Sequence, residues 1–395
     1  LQLAETAVAD LQGISREALS DAGKASYDVV LTALQQGNAA SRFDYGGGAT
    51  GPYVLTQLTG SYTGTPDFLA SQHPVTNREQ ADAYLARLSA YARQLDQEIA
   101  VLNADAAAGV IPPDFTIERN PEQGETGKKG AIPQLRTFIQ SRPAQNVLVA
   151  AFAQKLGEVA AISAADRATL SQRAETIVHD EIYPAYQRQI DALTAIRPRA
   201  THDAGIWKLP RGAEMYAAAL QQQTTTTMSP DEIHQMGLEL VSSLNAEMDT
   251  ILKAQGMTNG TIAERVQALA RRPDQIYPST EAGRTRLLAD LNAQVQAIRA
   301  RMPEVCGRLA RAELRVKRVP EFTQAGAPGG YYQNAALDGS RPGAYYINLR
   351  DPAHEWPKFS LPTLTYHEGI PGHHWQISIQ QEAGELPFIR SALLG

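Results

Sequence analysis

The stretch Thr365-Tyr-His-Glu-Gly-Ile-Pro-Gly-His-His-Trp-Gln376 gathers residues that do chemistry: three of the chain's eight histidines, with a glutamate beside the first. Two imidazoles and a carboxylate packed this closely point to a divalent metal with a general base next to it. The usual zinc helix carries His-Glu-x-x-His, because ligands four residues apart share one face and leave the Glu free to activate a bound water. Here the fifth position is Pro371, and the histidines stand at His367, His373 and His374. On a straight helix, at about 100° per residue, His373 would lie roughly 120° off the face of His367. His374 would return to that face, but about 10.5 Å further along the axis. Neither arrangement suits one metal.

Pro371 supplies a way out. It donates no backbone hydrogen, and its ring clashes with the carbonyl four residues back, which is that of His367. The helix is therefore expected to bulge, with Gly369 to Gly372 looping out as a two-residue insertion and Gly372 taking an unusual backbone angle. His367 and His373 are then the metal ligands and Glu368 the general base. His374 supports the metal from behind or donates a hydrogen bond to the transition state, and it is the ligand itself if the bulge has a different register. Apolar Leu361, Leu364 and Ile370 imply a buried segment, where imidazoles and a carboxylate are costly without a metal or full hydrogen bonding. The plain alternative is a turn carrying surface histidines.

The rest of the chain must position this stretch. Its 395 residues, 43% of them apolar, suffice for one large domain or two ordinary ones. Abundant Ala, Leu and Gln with few aromatics lean towards helix, so the expected class is mainly α. A net charge of -6 and a pI near 5.8 argue against a nucleic-acid partner. The most apolar run, Val147 to Phe152, meets Lys155 long before it could span a bilayer, so no membrane span is expected. The single cysteine, Cys306, excludes an internal disulfide and any Cys-rich zinc site, which leaves His and carboxylate to hold a metal. The chain opens at Leu1 with no signal peptide, and the compartment stays open on these grounds.

From Leu1 to about Gly37 the pattern is helical, with a cap at Ser20. Phe43 to Pro74, rich in Gly and Thr turns, reads as a long loop or covering flap. Thr76-x-x-Glu79 reads as a capping box ahead of a stripe formed by Tyr84, Leu88, Tyr91, Leu95, Ile99 and Leu102. Gly109 to Gln134 is an exposed connection whose Lys128-Lys129 pair is a solvated face. Ala144 to Leu156 and Ala164 to Ile196 follow as helices, the second kinked at Pro184. His179 and Asp180 inside it should point to different faces, which favours a partly exposed histidine over a ligand. Ala213 to Gln222 is helical, and the helix starting at Pro230 is expected to bury Ile233, Met236, Leu240, Leu244, Met248 and Ile251, with His234 beside that stripe. Leu287, Leu291, Val295, Ile298 and Met302 form one more amphipathic helix, ended by Pro303. Glu313 to Val319 and Gly343 to Leu349 read as two strands of a small sheet, with a Gly-rich turn region, Gly326 to Gly343, between them.

Tyr366-His-Glu-Gly-Ile-Pro-Gly-His-His-Trp-Gln376, preceded by Asp338-Gly-Ser-Arg-Pro-Gly-Ala-Tyr-Tyr-Ile-Asn348, resembles the bacterial family catalogued as domain of unknown function 885. Ser229-Pro-Asp-Glu-Ile-His-Gln-Met-Gly237 and Gly205-Ile-Trp-Lys-Leu-Pro210 are similar to its upstream motifs, so the resemblance covers most of the chain. It implies a zinc metallopeptidase-like protein with a mostly helical, two-lobed fold resembling thimet-type oligopeptidases and related helical carboxypeptidases. On that reading an N-terminal lobe covers 1–200. A catalytic-lobe portion covers 201–395, with the small sheet next to the active-site helix. Many members carry secretion or lipoprotein signals, which implies a periplasmic or secreted location, with a cytoplasmic one still open. In the family a Glu-Gly-Trp motif expected to supply the third, glutamate ligand follows the segment matching Phe388 to Gly395. The resemblance thus implies a C-terminal part of the same protein beyond this chain, and Glu382 and Glu385 lie too close to His373 to replace that ligand.

Resemblance and residues together imply hydrolysis of a peptide substrate. Zinc polarises the carbonyl while Glu368 takes the water's proton and passes it to the leaving amine. Tyr331, Tyr332, Tyr345 and Tyr346 are candidate oxyanion donors or substrate contacts. Strand and hairpin packing accounts for any one of them equally well. An edge at Gly343 to Leu349 is expected to hold an extended peptide, and Arg341 to grip a substrate carboxylate bidentately, with an exposed turn arginine as its alternative. A non-catalytic metal- or peptide-binding module that has lost the third ligand, or a helical scaffold in which the histidines merely pack, are the competing readings.

Overall fold

Apolar residues recurring at three and four positions make most of this chain helical, and among the described residues only the stretch around Leu314 to Ile347 breaks that rhythm to form strands. A computed structural model describes residues 2–43, 45–48, 50–119, 130–321, 324, 327–384 and 386–390. The protein is mainly α with one three-stranded sheet. The chain forms two compact units, one of residues 1–4 and 36–226, the other of residues 5–35 and 227 onward. Helices α1 (Gln2–Gln12) and α2 (Asp21–Ala40) open it, the latter after Ser20, whose hydroxyl accepts from the Gly23 amide at 3.2 Å. Among the described residues, no helix is long and apolar enough to cross a membrane.

The first unit holds α3 (Ser61–Asp67), α4 (Arg78–Ala107), α5 (Asp114–Ile117), α6 (Ala131–Ile139), α7 (Val147–Gly157), α8 (Ala164–Ile177), α9 (Tyr183–Ile196) and α10 (Gly212–Thr224). Its core is the apolar face of α4 packed on α8 and α9, with α6 on α9 and α7 on α8. Tyr84 stacks on Phe152 with ring centroids 4.5 Å apart, and Phe138 stacks on Tyr186 at 4.4 Å. The buried Tyr91 and Tyr186 hydroxyls satisfy each other at 2.6 Å.

Three expectations need correction in this unit. The cap of α4 is Asn77, which accepts from the Gln80 amide, while Thr76 bonds the Gln80 side chain. A capping pair one residue downstream of the expected one won because Asn caps as well as Thr. The stretch read as a loop from Phe43 to Pro74 contains α3, which carries Gly64 and Pro66 inside it and runs on into a wide turn, Phe68–Gln72. His179 and Asp180 do meet, at 2.5 Å, because the helix loosens into a wide turn over Val178–Ile182 just before Pro184. Both are exposed. Lys128 and Lys129 lie outside the described residues.

The second unit adds α11 (Pro230–Ala254), α12 (Ile262–Ala270), α13 (Glu281–Arg301), strands β1 (Leu314–Arg318), β2 (Gly330–Gln333) and β3 (Gly343–Ile347), then α14 (Pro352–Glu355), α15 (Leu361–Glu368) and α16 (His373–Gln381). Leu287, Leu291 and Val295 of α13 form a core with Tyr345, Ile347, Leu361, Ile370 and Trp375. The sheet order is β1-β3-β2, with β1 parallel and β2 antiparallel to β3. Strand β2 lies in the stretch read as a Gly-rich turn. Because β3 is central, both its edges are paired, and the expected peptide-binding edge at Gly343 to Leu349 does not exist. The apolar stripe of α11 is also not buried: Met236, Leu240, Leu244, Met248 and Ile251 are exposed, Ile233 is half-buried, and the buried residue of this helix is Leu252.

Candidate metal centre

The chemical stretch is a helix broken in two. α15 ends at Glu368 and α16 restarts at His373, with a cis peptide bond between Ile370 and Pro371. Across the break the Gly372 amide donates to the Tyr366 carbonyl at 2.9 Å, and the Trp375 amide to that of Gly369 at 3.3 Å. Each bond spans six residues where a regular helical turn spans four, so two residues are inserted, as expected. Gly372 is demanded by space. Its backbone sits at φ -79°, ψ -136°, and a Cβ there would meet the His367 carbonyl oxygen at 1.9 Å. Gly369 is similarly hemmed in, since a Cβ there would lie 2.7 Å from the Thr365 carbonyl oxygen.

The insertion brings His373 to His367. Their rings lie 4.7 Å apart, nearly perpendicular, and one ligand atom each from His367, Glu368 and His373 falls within 4.8 Å of the others. The two imidazoles are exposed and have no hydrogen-bond partner among the described residues, while Glu368 is only 6% exposed. Burial holds the Glu368 carboxyl above the usual carboxylate range, against the pull of His373 and His367. Two imidazoles with free nitrogens beside a carboxylate are a donor set that suits zinc. No further His, Cys, Asp or Glu among the described residues joins them.

His374 has a different fate. It is 1% exposed and both its nitrogens are engaged, Nε2 with the Ala312 carbonyl at 3.2 Å and Nδ1 with Tyr332 Oη at 3.0 Å. A carbonyl only accepts, so Nε2 carries the hydrogen and Nδ1 accepts from the Tyr332 hydroxyl. Burial pushes the imidazole down to about 4, so it stays neutral. His374 is therefore neither ligand nor transition-state donor; it ties α16 to the entrance of β1 and to β2. Gly343 makes room for this tie, since a Cβ there would lie 2.4 Å from Tyr332 Oη and 2.8 Å from His374 Nδ1. Sequence reasoning missed Gly343, because the cause is a contact between three distant segments.

The strand register sorts the four tyrosines. Tyr331 pairs with Tyr346 and Tyr332 with Tyr345, so the pairs occupy opposite faces of the sheet. Tyr331 and Tyr346 stack at 5.0 Å on the face away from the Tyr345 core, and Lys317 Nζ lies 5.8 Å from the Tyr346 ring centroid. These two are packing residues. Tyr332 spends its hydroxyl on His374. Tyr345 is fully buried in the core, and burial raises its hydroxyl pKa, Thr365 offsetting part of the rise and Glu368 adding to it. Neither its hydroxyl nor that of Thr365 makes a well-aligned hydrogen bond with a described residue. Buried Tyr345 cannot reach a substrate oxyanion, and the expectation of tyrosine donors at Tyr345 and Tyr346 is withdrawn.

Arg341 bonds Gln333 Oε1 through Nη1 at 3.1 Å and forms no ion pair with a described carboxylate, which leaves most of its donors available beside Tyr332. Glu382 is occupied, accepting from the Arg311 and Ala312 amides at 2.8 Å each. Glu385 lies outside the described residues.

A mainly α protein with a His-Glu-His cluster at a two-residue helix break defines the class. Residues 1–394 match the family described as bacterial protein of unknown function (DUF885), and the chain belongs to that family. The chain is also similar to the crystal structure of a "putative lipoprotein" from Colwellia psychrerythraea, with 32% identity and a TM-score of 0.90. That match covers 99% of this chain and 66% of the other, so this chain spans just under two thirds of its length. Comparison with curated proteins finds no match.

Proposed function

We propose that this protein is a zinc-dependent peptidase that hydrolyses peptide bonds of oligopeptides, with His367 and His373 as zinc ligands and Glu368 as general base. The observation that carries this reading is the convergence of three donor atoms within 4.8 Å, across a break that a regular helix would not allow. When bound, zinc would polarise the scissile carbonyl and lower the pKa of a water molecule. Glu368, desolvated and adjacent to both imidazoles, would hold the water's proton on its carboxylate and pass it to the leaving nitrogen. Arg341, with guanidinium hydrogens to spare, would grip a substrate carboxylate.

Catalytic zinc sites use three protein ligands. The two imidazoles supply two, and by resemblance the third is a glutamate beyond Gly395. A non-catalytic metal- or peptide-binding module is the second reading, favoured by the lack of a third donor among the described residues. By analogy with the lipoprotein description of the Colwellia protein, we place the protein in the periplasm or outside the cell. Peptide hydrolysis by the complete natural protein, wild type against Glu368→Gln, separates the two readings. Loss of roughly 10³-fold in kcat with zinc retained supports the peptidase, whereas equal rates in both proteins remove Glu368 from the mechanism.

A further inference from the structure

α11 is built as an amphipathic helix whose apolar face is left without a cover among the described residues. Its Ser229–Glu232 capping box is complete at one end, and Gly256, at φ 76°, closes the other, so the helix is well specified. Yet Met236, Leu240, Val241, Leu244, Met248 and Ile251 all face solvent, from Met248 at 38% to Ile251 at 62% exposure. At about 100° per residue they fall within one sector roughly 140° wide, and Met236 to Ile251 covers about 22 Å of axis. Gly237 lies inside that sector and lets another backbone approach. Leu252, at the sector's edge, is buried, and α12 is the helix α11 packs against. A contiguous apolar face of this length is a docking surface rather than ordinary scatter.

The edges of the sector say what fits. α11 carries Asp231, Glu232, Glu239, Glu247 and Asp249 against Lys253 as its one Lys or Arg. Glu232 and Glu239 flank one edge of the sector and Glu247 lies just inside it, while Asp231 and Asp249 fall on the opposite face, Asp249 tied to Lys253 and Arg265. An anionic membrane surface would be repelled, and a second copy packed antiparallel would bring the same acidic edge against itself. The complement is an amphipathic helix with a Leu- or Ile-rich stripe and basic flanks. Its source is indicated by the Colwellia structure, which superimposes on nearly all of this chain and yet has a further third of chain outside the match.

We infer that the apolar face of α11 is the seat of an amphipathic, basic-flanked helix belonging to that further third, a part of the natural polypeptide outside these 395 residues. The inference does not depend on the metal reading and stands if no zinc binds. The test places the photo-crosslinker p-benzoylphenylalanine at Leu244 of the complete natural protein, with a second preparation carrying it at Glu247 just inside the sector's edge in case the first perturbs folding. Irradiation followed by peptide mapping is expected to join α11 to a segment of the same chain outside residues 1–395. Hydrogen exchange over Pro230–Ala254 should be about 10-fold slower than in the 395-residue chain. Cross-links between two copies, cross-links to a different protein, or no cross-link with equal exchange in both proteins would each overturn it.

Discussion

His373 and His374 are neighbours in sequence and opposites in the structure. His373 turns out to solvent, meets His367 and has no hydrogen-bond partner among the described residues. His374 turns inward, spends both nitrogens on Ala312 and Tyr332, and is held neutral by burial. Residue type and conspicuous clustering are the same for both. What separates them is whether the fold has already answered the ring's demand for partners. An imidazole with free nitrogens is available to a metal, whereas one with both engaged is part of the scaffold.

Paired substitutions at these positions test the contrast. His373→Asn should lower zinc affinity by at least about 100-fold while barely moving thermal stability, and His374→Gln should leave zinc affinity within about threefold. Equal losses of zinc in both variants would mean that the two rings act as one site. In stability the order reverses. His374→Gln leaves the Tyr332 hydroxyl and the Ala312 carbonyl poorly matched in a buried place, and denaturant unfolding should show a loss of about 2 kcal/mol.

The acid side of the stability profile sharpens the same point. In the unfolded chain His374 titrates near 6.5 and in the folded protein at about 4. Between these values the unfolded state binds the additional proton, so this contribution is complete above pH 6.5 and is lost as the pH falls towards 4. Its ceiling is about 3 kcal/mol. Unfolding free energies measured from pH 7 to pH 4 should fall less steeply in His374→Gln, and parallel curves would remove His374 as the cause. The smallest effect belongs to Tyr345→Phe. Its buried hydroxyl makes no well-aligned hydrogen bond with the described protein, so removing it should change stability by under about 0.5 kcal/mol and leave hydrolysis unchanged. A large loss of rate would restore Tyr345 to the site.

Much of the fold could be read from spacing. The α4 stripe from Tyr84 to Leu102 and the α13 stripe from Leu287 to Val295 are buried where their periodicity put them, apart from a half-buried Ile99. The α11 stripe has the same periodicity and is exposed. Periodicity reports that a helix has an apolar face, not that a partner covers it. β2 escaped because four residues among glycines carry too little pattern, although Tyr331-Tyr332 mirrors Tyr345-Tyr346 and hinted at a paired strand. At the site, Pro371 was enough to place the break, since a proline's clash with the fourth carbonyl back is local physics. The choice of His373 over His374 rested on an assumed two-residue loop through Gly372, whose register the spacing left open. The inward turn of His374 depends on Ala312, Tyr332 and Gly343, which are distant in sequence and unreadable from spacing.

The central claim is that His367 and His373, and not His374, hold a zinc ion beside Glu368. Metal content per chain of the purified complete protein, grown with added zinc, tests it most directly across wild type, Glu368→Gln, His374→Gln and the double variant His367→Asn/His373→Asn. The account predicts one zinc per chain in the first three and almost none in the double variant. Zinc retained by the double variant, or wild-type protein devoid of zinc, would contradict it.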